Sequence, residues 1–331
     1  MAGTPSSESP LETVAKSVGE RTAEAFEILG NDTRLAILVA LWEVKHLELP
    51  MPEQSEWAVS FSELREAVGR PDSGQFNYHL EKLTGLFIEQ TEAGYTLTTR
   101  AEQILRAIFA GTLADPAALQ GEPLDRECFR CGAPTVIDYS DGDLLVRCTG
   151  CDGNVHRPAE PSGMLAKMYR PPAGLANRTP QEFHRHGKIW DRHRIHSMIE
   201  GVCPDCSGSV TTTLYVCDAH DTDQTICEHC AMSFKIHSLF ACDVCKNHWH
   251  TPAFAIIFTD TAVLSFFYEH GLDPLAPYDD KAPGEIRDAI RMAMREEDPL
   301  ELEVTVDLDG DRLTVMLDDQ GEVLDVSEET T

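Results

Sequence analysis

The sequence predicts an α+β chain in three sections: a helical N-terminal unit, a middle of small β-rich modules stapled by metal, and a C-terminal α/β segment. Three observations predict it. Apolar residues recur at helical spacing through residues 20–113, a stretch without cysteine. All eleven cysteines lie between 128 and 245, and ten of them form five Cys-x2-Cys pairs. Beyond residue 296, Leu302-Val304-Val306 and Leu313-Val315-Leu317 alternate as strands do, around Asp309-Gly310. With 331 residues, of which 42% are hydrophobic, the chain suits about two domains of ~150 residues and a small third. The expected boundaries are a disordered polar leader at 1–19, the helical unit at 20–113 and a Pro/Gly-marked linker at 114–127. A first metal module follows at 128–157, a basic bridging segment at 158–200, and a metal-binding C-terminal domain with an acidic hairpin tail at 201–331.

In the first unit, Phe26, Leu29, Leu35, Leu38, Leu41 and Trp42 share a helical period. Asn31-Asp32-Thr33-Arg34 interrupts them, so a short helix gives way to a second, capped by Asn31 or Asp32. Ser60-x-x-Glu63 is a capping box opening a helix through Val68. Gly69-Arg70-Pro71 is a tight turn, and Asp72 caps a further helix that Gly85 stops. Phe87–Gln90, the turn Glu92-Ala93-Gly94 and Tyr95–Thr98 read as a two-stranded wing, and Thr99-x-x-Glu102 caps a closing helix to about Leu113. Helix, tight turn and helix is the arrangement that lays one helix in a DNA major groove.

On Phe26–Trp42, Asp72–Leu83 and the wing, this segment resembles the ArsR-type winged helix-turn-helix transcriptional regulators. It is similar above all to the haloarchaeal ones that join the winged helix to a Cys-rich C-terminal half. The resemblance covers about 95 residues well. It implies a homodimer built from the first and last helices of the unit, and double-stranded DNA as partner. It implies base contacts from Ser73, Gln75, Asn77, Tyr78 and His79, and phosphate contacts from Arg70, Lys82 and, on the wing, Tyr95. Gln and Asn can bond adenine bidentately. The competing reading of Asn77, Tyr78 and His79 is a solvated polar helix face. Members of that family that sense metals place cysteines on the helix before the recognition helix. Ser60–Arg65 has none, so sensing there is not expected.

Cys128-x2-Cys131 and Cys148-x2-Cys151 lie 16 residues apart, with two alternating strands and a Ser-Asp-Gly-Asp turn between them. Two such knuckles on adjacent hairpins close a tetrahedron, which is a zinc ribbon. A redox-active Cys-x-x-Cys is the alternative. The second cluster holds seven cysteines, so a histidine should join it. Cys217-Asp-Ala-His220 supplies a knuckle, with Cys217, His220, Cys227 and Cys230 on one zinc. Cys203, Cys206, Cys242 and Cys245 would hold another, enclosing the first. A rival pairing joins Cys203/Cys206 to Cys227/Cys230 and leaves Cys217 with Cys242/Cys245 and His248 or His250. Twelve ligands make up to three zinc sites. Closed four-ligand sites are structural, because a catalytic zinc keeps a position open.

Residues 155–200 carry eight Lys/Arg against four acids. Thr179-Pro180-Gln181-Glu182 opens a helix to about Glu200. Its basic face either pairs with the acidic remainder or serves as a second DNA contact or an anionic effector site. Ala253–Tyr268 reads as a strand and a helix.

The chain carries 27 Lys+Arg against 56 Asp+Glu, net −29. Alone, that charge opposes nucleic acid and anionic membranes. Spread along the chain and poor in Lys, it is also what keeps a protein hydrated in molar salt, where a Debye length of about 3 Å screens the repulsion. A halophilic host is therefore expected. No signal peptide and no run of 18 apolar residues is visible, so a cytoplasmic, non-membrane protein is expected. No nucleophile elbow or phosphate loop points to an enzyme. The expected function is a DNA-binding transcriptional regulator whose zinc-stabilised C-terminal half dimerises, receives a signal or binds a protein partner. The alternatives are a protein-interaction module that does not bind DNA, and a zinc or redox sensor.

Overall fold

The computed structural model describes residues 22–44, 57–70, 72–111, 118–156, 158–220, 226–275 and 282–330. The expected leader at 1–19 lies outside them. The chain is mixed α and β, and its sheets are small and antiparallel. It divides into two compact units, Met1–Ala114 and Asp115–Thr331.

The first unit starts with α1 (22–29) and α2 (Asp32–Glu43). The Asn31 carboxamide caps α2 by accepting from the Arg34 N–H at 3.1 Å. The Arg34 guanidinium reaches back to the Glu27 and Ile28 carbonyls at the end of α1. A complete capping box at Ser60 and Glu63 starts α3 (Phe61–Ala67). After a short connection, Asp72 caps α4 (Ser73–Leu83) through the Gly74 and Gln75 N–H groups. Strands β1 (Ile88–Thr91) and β2 (Gly94–Leu97) pair with Ile88 opposite Leu97. Val59 adds a backbone bridge to Tyr95, so close that a Cβ on Gly94 would sit 2.5 Å from the Val59 oxygen. Helix α5 (Thr99–Phe109) is capped by Thr98, one residue before the expected cap, because the Thr98 hydroxyl is the one that reaches the Ala101 N–H. Ile37, Leu38 and Leu41 of α2 bury against Leu64, Phe76, Leu80 and Leu105 from the helices around them. Burying each such side chain contributes about 1.5–3 kcal/mol.

Among the described residues the second unit holds three sheets and three α-helices. Sheet one is the meander β3 (Leu119–Glu127), β4 (Pro134–Ser140), β5 (Asp143–Cys148), β6 (Met164–Tyr169). Strand β3 corrects the expected linker at 114–127. Its Gly121 and Pro123 are poor strand formers, and pairing with β4 plus a bond from the Gly121 N–H to the Asp138 carboxylate holds it extended. Helix α6 (Pro180–Ile199) begins at the Thr179–Glu182 capping box. Sheet two is β7 (Val210–Val216), β8 (Ile236–Cys242), β9 (His248–Pro252). Ala253–Thr259 then forms 3-10 turns rather than the expected strand, since its apolar Ala253, Ile256 and Ile257 bury at a helical spacing. Helix α7 (Thr261–Glu269), α8 (Ala282–Ala289) and the meander β10 (Ile290–Glu297), β11 (Leu300–Leu308), β12 (Asp311–Leu317), β13 (Val323–Glu329) complete the unit. The expected tail hairpin is β11–β12, turning at Asp309-Gly310, and it gains a strand on each side.

Among the described residues this unit has two cores. One gathers Leu124, Ile137, Tyr139, Leu144, Val146 and Leu165. The other gathers Phe240, Ile257, Phe266, Phe267 and the inner faces of β11 and β12. Helix α6, about 30 Å long at 1.5 Å per residue, serves both: Phe183 belongs to the first core and Met198 to the second. Arg170, only 3% exposed, runs across α6 to a bidentate pair with Asp191. Gly187 makes room for it, since a Cβ there would collide with the Arg170 guanidinium. No helix among the described residues is long and apolar enough to cross a membrane.

Candidate functional site

Three groups of four ligand residues assemble in the second unit, and within each group the ligand atoms all lie within 4.8 Å of one another. Cys128 and Cys131 sit on the β3–β4 turn, Cys148 and Cys151 at the end of β5. Cys203 and Cys206 lie between α6 and β7, Cys242 ends β8 and Cys245 lies between β8 and β9. Cys217 and His220 follow β7, and Cys227 and Cys230 precede β8. These are the first of the two pairings set out above. The rival pairing is not what the chain brings together: His248 and His250 sit on β9, with ring centres 6.3 Å apart, and join none of the three groups.

The cysteines are free thiols, and their spacing fits a tetrahedral ion. A metal with thiolate bonds of about 2.3 Å sets sulfur–sulfur edges near 3.8 Å, whereas a disulfide would be about 2.05 Å. The measured Sγ–Sγ distances are 3.8 Å for Cys128–Cys151, 3.4 Å for Cys131–Cys148, 3.6 Å for Cys203–Cys245 and 3.5 Å for Cys206–Cys242. In the mixed group the His220 Nδ1 is 3.4 Å from the Cys230 Sγ. Each group can hold a metal ion, and the donor sets are compatible with zinc. Burial pushes the Cys151 thiol up to about 12, with the neighbouring cysteines adding to it. Burial likewise pushes Cys230 up to about 11. Four thiolates so close together need a cation among them.

The knuckles have a common backbone. In the pairs starting at Cys128, Cys203, Cys227 and Cys242, the first cysteine's carbonyl accepts from the N–H of the residue after the second cysteine. The first cysteine's own N–H donates to the carbonyl one residue further on. That closure requires a positive φ after the second cysteine, and the residues there are Gly132 (73°), Ser207 (58°), Ala231 (57°) and Lys246 (63°). Local amides also point at sulfur: Arg130 N–H to Cys128, Gly150 to Cys148, Gly208 to Cys206 and Val244 to Cys242, at 3.2–3.4 Å. Such amides favour the thiolate. The pair Cys148/Cys151 departs from the pattern, because the Cys148 N–H goes to Gly163 instead.

Asn154 is a supporting residue that the sequence did not flag. Its Oδ1 accepts from Arg130 on the first knuckle, its Nδ2 donates to the Leu165 carbonyl, and its carbonyl accepts from Ser233 beyond Cys230. It ties the Cys128 and Cys217 groups together, and a partner 79 positions away leaves no local signal.

In the first unit, Ser73, Gln75, Tyr78 and Lys82 stand exposed on α4, Asn77 and His79 are half-buried, and Phe76, Leu80 and Leu83 face the core. Asn77 donates to Glu81 at 2.6 Å, and the Lys82 Nζ lies 5.9 Å from the Tyr78 ring centre. Burial, helped by Arg34 and Arg70, lowers the His79 pKa. Arg70 is exposed but gives one nitrogen to the Thr33 hydroxyl at 2.8 Å. Tyr95 is half-buried on β2.

Two family models match the chain, one to each unit. Residues 22–108 match the domain of unknown function DUF7347, and residues 125–323 match the domain of unknown function DUF7351. No curated protein and no solved structure matches it. The second match covers more than half of the 331 residues, so the chain belongs to the DUF7351 family.

Proposed function

We propose that the chain is a dimeric, cytoplasmic transcriptional regulator of ArsR type. In this reading the first unit binds double-stranded DNA as a winged helix, and three structural zinc ions hold the second. The observation that carries the reading is α4: capped at Asp72, apolar on one side, with Gln75, Tyr78 and Lys82 exposed on the other, Ser73 exposed in its first turn and the β1–β2 hairpin following it. Gln and Asn side chains suit base edges, and Arg70 and Lys82 suit phosphate. Zinc is the metal favoured by sets of four cysteines, or of three cysteines and a histidine, that leave no open position. Such sites stabilise rather than catalyse. A selection on fragmented genomic DNA in about 2 M KCl, where screening is nearly complete, tests the reading. A short inverted repeat is expected with the native chain and not with an Asn77→Ala, Lys82→Ala double variant. No enriched sequence at any salt concentration sinks it.

A second reading, a protein-docking module, draws on a specific contact. Glu81 shares the α4 surface and holds Asn77, in a stretch (20–113) with 8 basic and 15 acidic residues. Its partner would be a basic protein surface. An unchanged set of bound proteins in the double variant, with no DNA enriched by either chain, would favour it.

A further inference from the structure

We propose that the second unit binds an amphipathic organic anion, a carboxylate or sulfonate head on a flat apolar body, in the cleft between α6, β6 and β9. The cleft has a volume of about 1120 Å³ and lies wholly within that unit. Small-molecule sites run to about 300–1000 Å³, so a drug-sized ligand fits. This goes beyond the DNA-binding reading and does not require it.

The head group follows from charge and from one enclosed atom. Lys188, Arg192, Ile195 and Ile199 form a single stripe of α6 along the cleft, cationic at one end and apolar at the other. The acids on the wall already have partners: Asp191 holds Arg170, Asp205 holds Arg194 and Asp143 holds Lys167. Arg192 donates to the Leu275 carbonyl, a neutral group, and has no carboxylate partner among the described residues. Across the cleft, His237 is 6% exposed and its ring is bonded to the Phe234 backbone. Its Nε2 is fully enclosed and has no partner. An enclosed polar atom left unpaired is unfavourable, and a ligand that pairs it gains by doing so. A carboxyl group suits it in either ring state: a carboxylate accepts from the protonated ring, and a carboxylic acid donates to the neutral one. The body follows from the remaining wall, where Phe234, Trp249 and Phe258 offer aromatic surface.

The test uses the full, zinc-loaded chain in about 2 M KCl and two fluorescent probes, 8-anilinonaphthalene-1-sulfonate and the uncharged N-phenyl-1-naphthylamine. The sulfonate is expected to saturate one site per chain. The uncharged probe should bind about tenfold more weakly, the worth of one charge-assisted contact. Arg192→Ala and His237→Phe should each cost the sulfonate a similar factor. Equal affinity for both probes, unchanged affinity in both variants, or no saturable binding overturns the proposal. Should the variants lose their fold, the histidine ring spectrum of the native chain decides: the His237 Nε2 resonance moves with added sulfonate, or the proposal fails. DNA binding is measured in parallel with Lys82→Ala, which lies in the other unit. Lost DNA enrichment with intact sulfonate binding, or the reverse, shows which of the two ideas has failed.

Discussion

The two units solve the same problem differently. In the first, fourteen apolar side chains bury around α2, and its sequence contains no cysteine. In the second, short strands carry turns whose cysteines and one histidine gather into groups of four. Helices that alternate polar and apolar faces can build a core within about 90 residues. Hairpins and knuckles of about 25–50 residues bury little on their own, and a bound metal can make up the difference. What differs is therefore that the first unit draws on hydrocarbon contacts, whereas the second adds to its hydrocarbon cores three ligand sets that can hold metal.

Metal removal should break the comparison most visibly. Structural zinc contributes an apparent ~10–16 kcal/mol in small metal domains. A strong chelator at neutral pH is expected to expose the amides of β8 and β9 to hydrogen exchange while those of α2 and α4 stay protected. Equal loss in both units would refute the division. The converse lesion is Phe76→Ala, which removes a fully buried side chain of the first unit and should cost about 3–5 kcal/mol. It should leave three metals per chain in elemental analysis.

A smaller effect sharpens the picture within the second unit. His184 is buried on α6, and burial, then the cations Arg126, Lys188, Arg170 and Arg185, lowers its pKa to about 3. Because the folded pKa is depressed below the ordinary 6.5, the unfolded chain takes up a proton that the folded chain refuses. Stability is therefore unaffected above about pH 6.5 and falls as the pH drops towards 3, by about 2 kcal/mol at pH 5. His184→Gln should flatten the slope of denaturation midpoint against pH between about 6.5 and 5. Acid also releases metal from cysteine sites, so the difference between the two chains isolates the histidine. Identical slopes would count against the assignment.

The smallest effect belongs to the knuckles. Ala231 holds a left-handed conformation that costs an L-residue about 1–2 kcal/mol, while Gly132 holds the same one freely. Ala231→Gly should raise stability and Gly132→Ala lower it, each by about 1 kcal/mol. With nothing within 4 Å of a Cβ at Gly132, backbone strain alone is measured there. Movement of both variants in the same direction would show that the knuckles do not share a backbone.

What could be read from the chain beforehand follows from how local each signal is. A capping box, a Cys-x2-Cys spacing or an Asp-Gly turn is complete within a few residues, so α3, α6, the ligand pairs and the β11–β12 turn were legible. Strand β3 was not, because Gly121 and Pro123 look like a linker until β4 lies beside them. Strand β10, Ile-Arg-Met-Ala-Met-Arg-Glu-Glu, carries helix-forming residues and is extended because β11 pairs with it. The cleft was invisible for the same reason. Arg192 and His237 lie 45 positions apart and come to line one cleft only in the folded unit.

The nesting of the Cys217 group inside the Cys203–Cys245 group has a consequence in time. A chain made from its N-terminus completes its ligand sets in a fixed order: at Cys151, then at Cys230, and last at Cys245. At synthesis rates of about 5–20 residues per second, the last two are separated by roughly one to three seconds. During that interval Cys203 and Cys206 wait as a half-set, and the inner group can close first, shortening the loop the outer one must span. The outer group thus acts as a clasp, fastened after everything it encloses has been made.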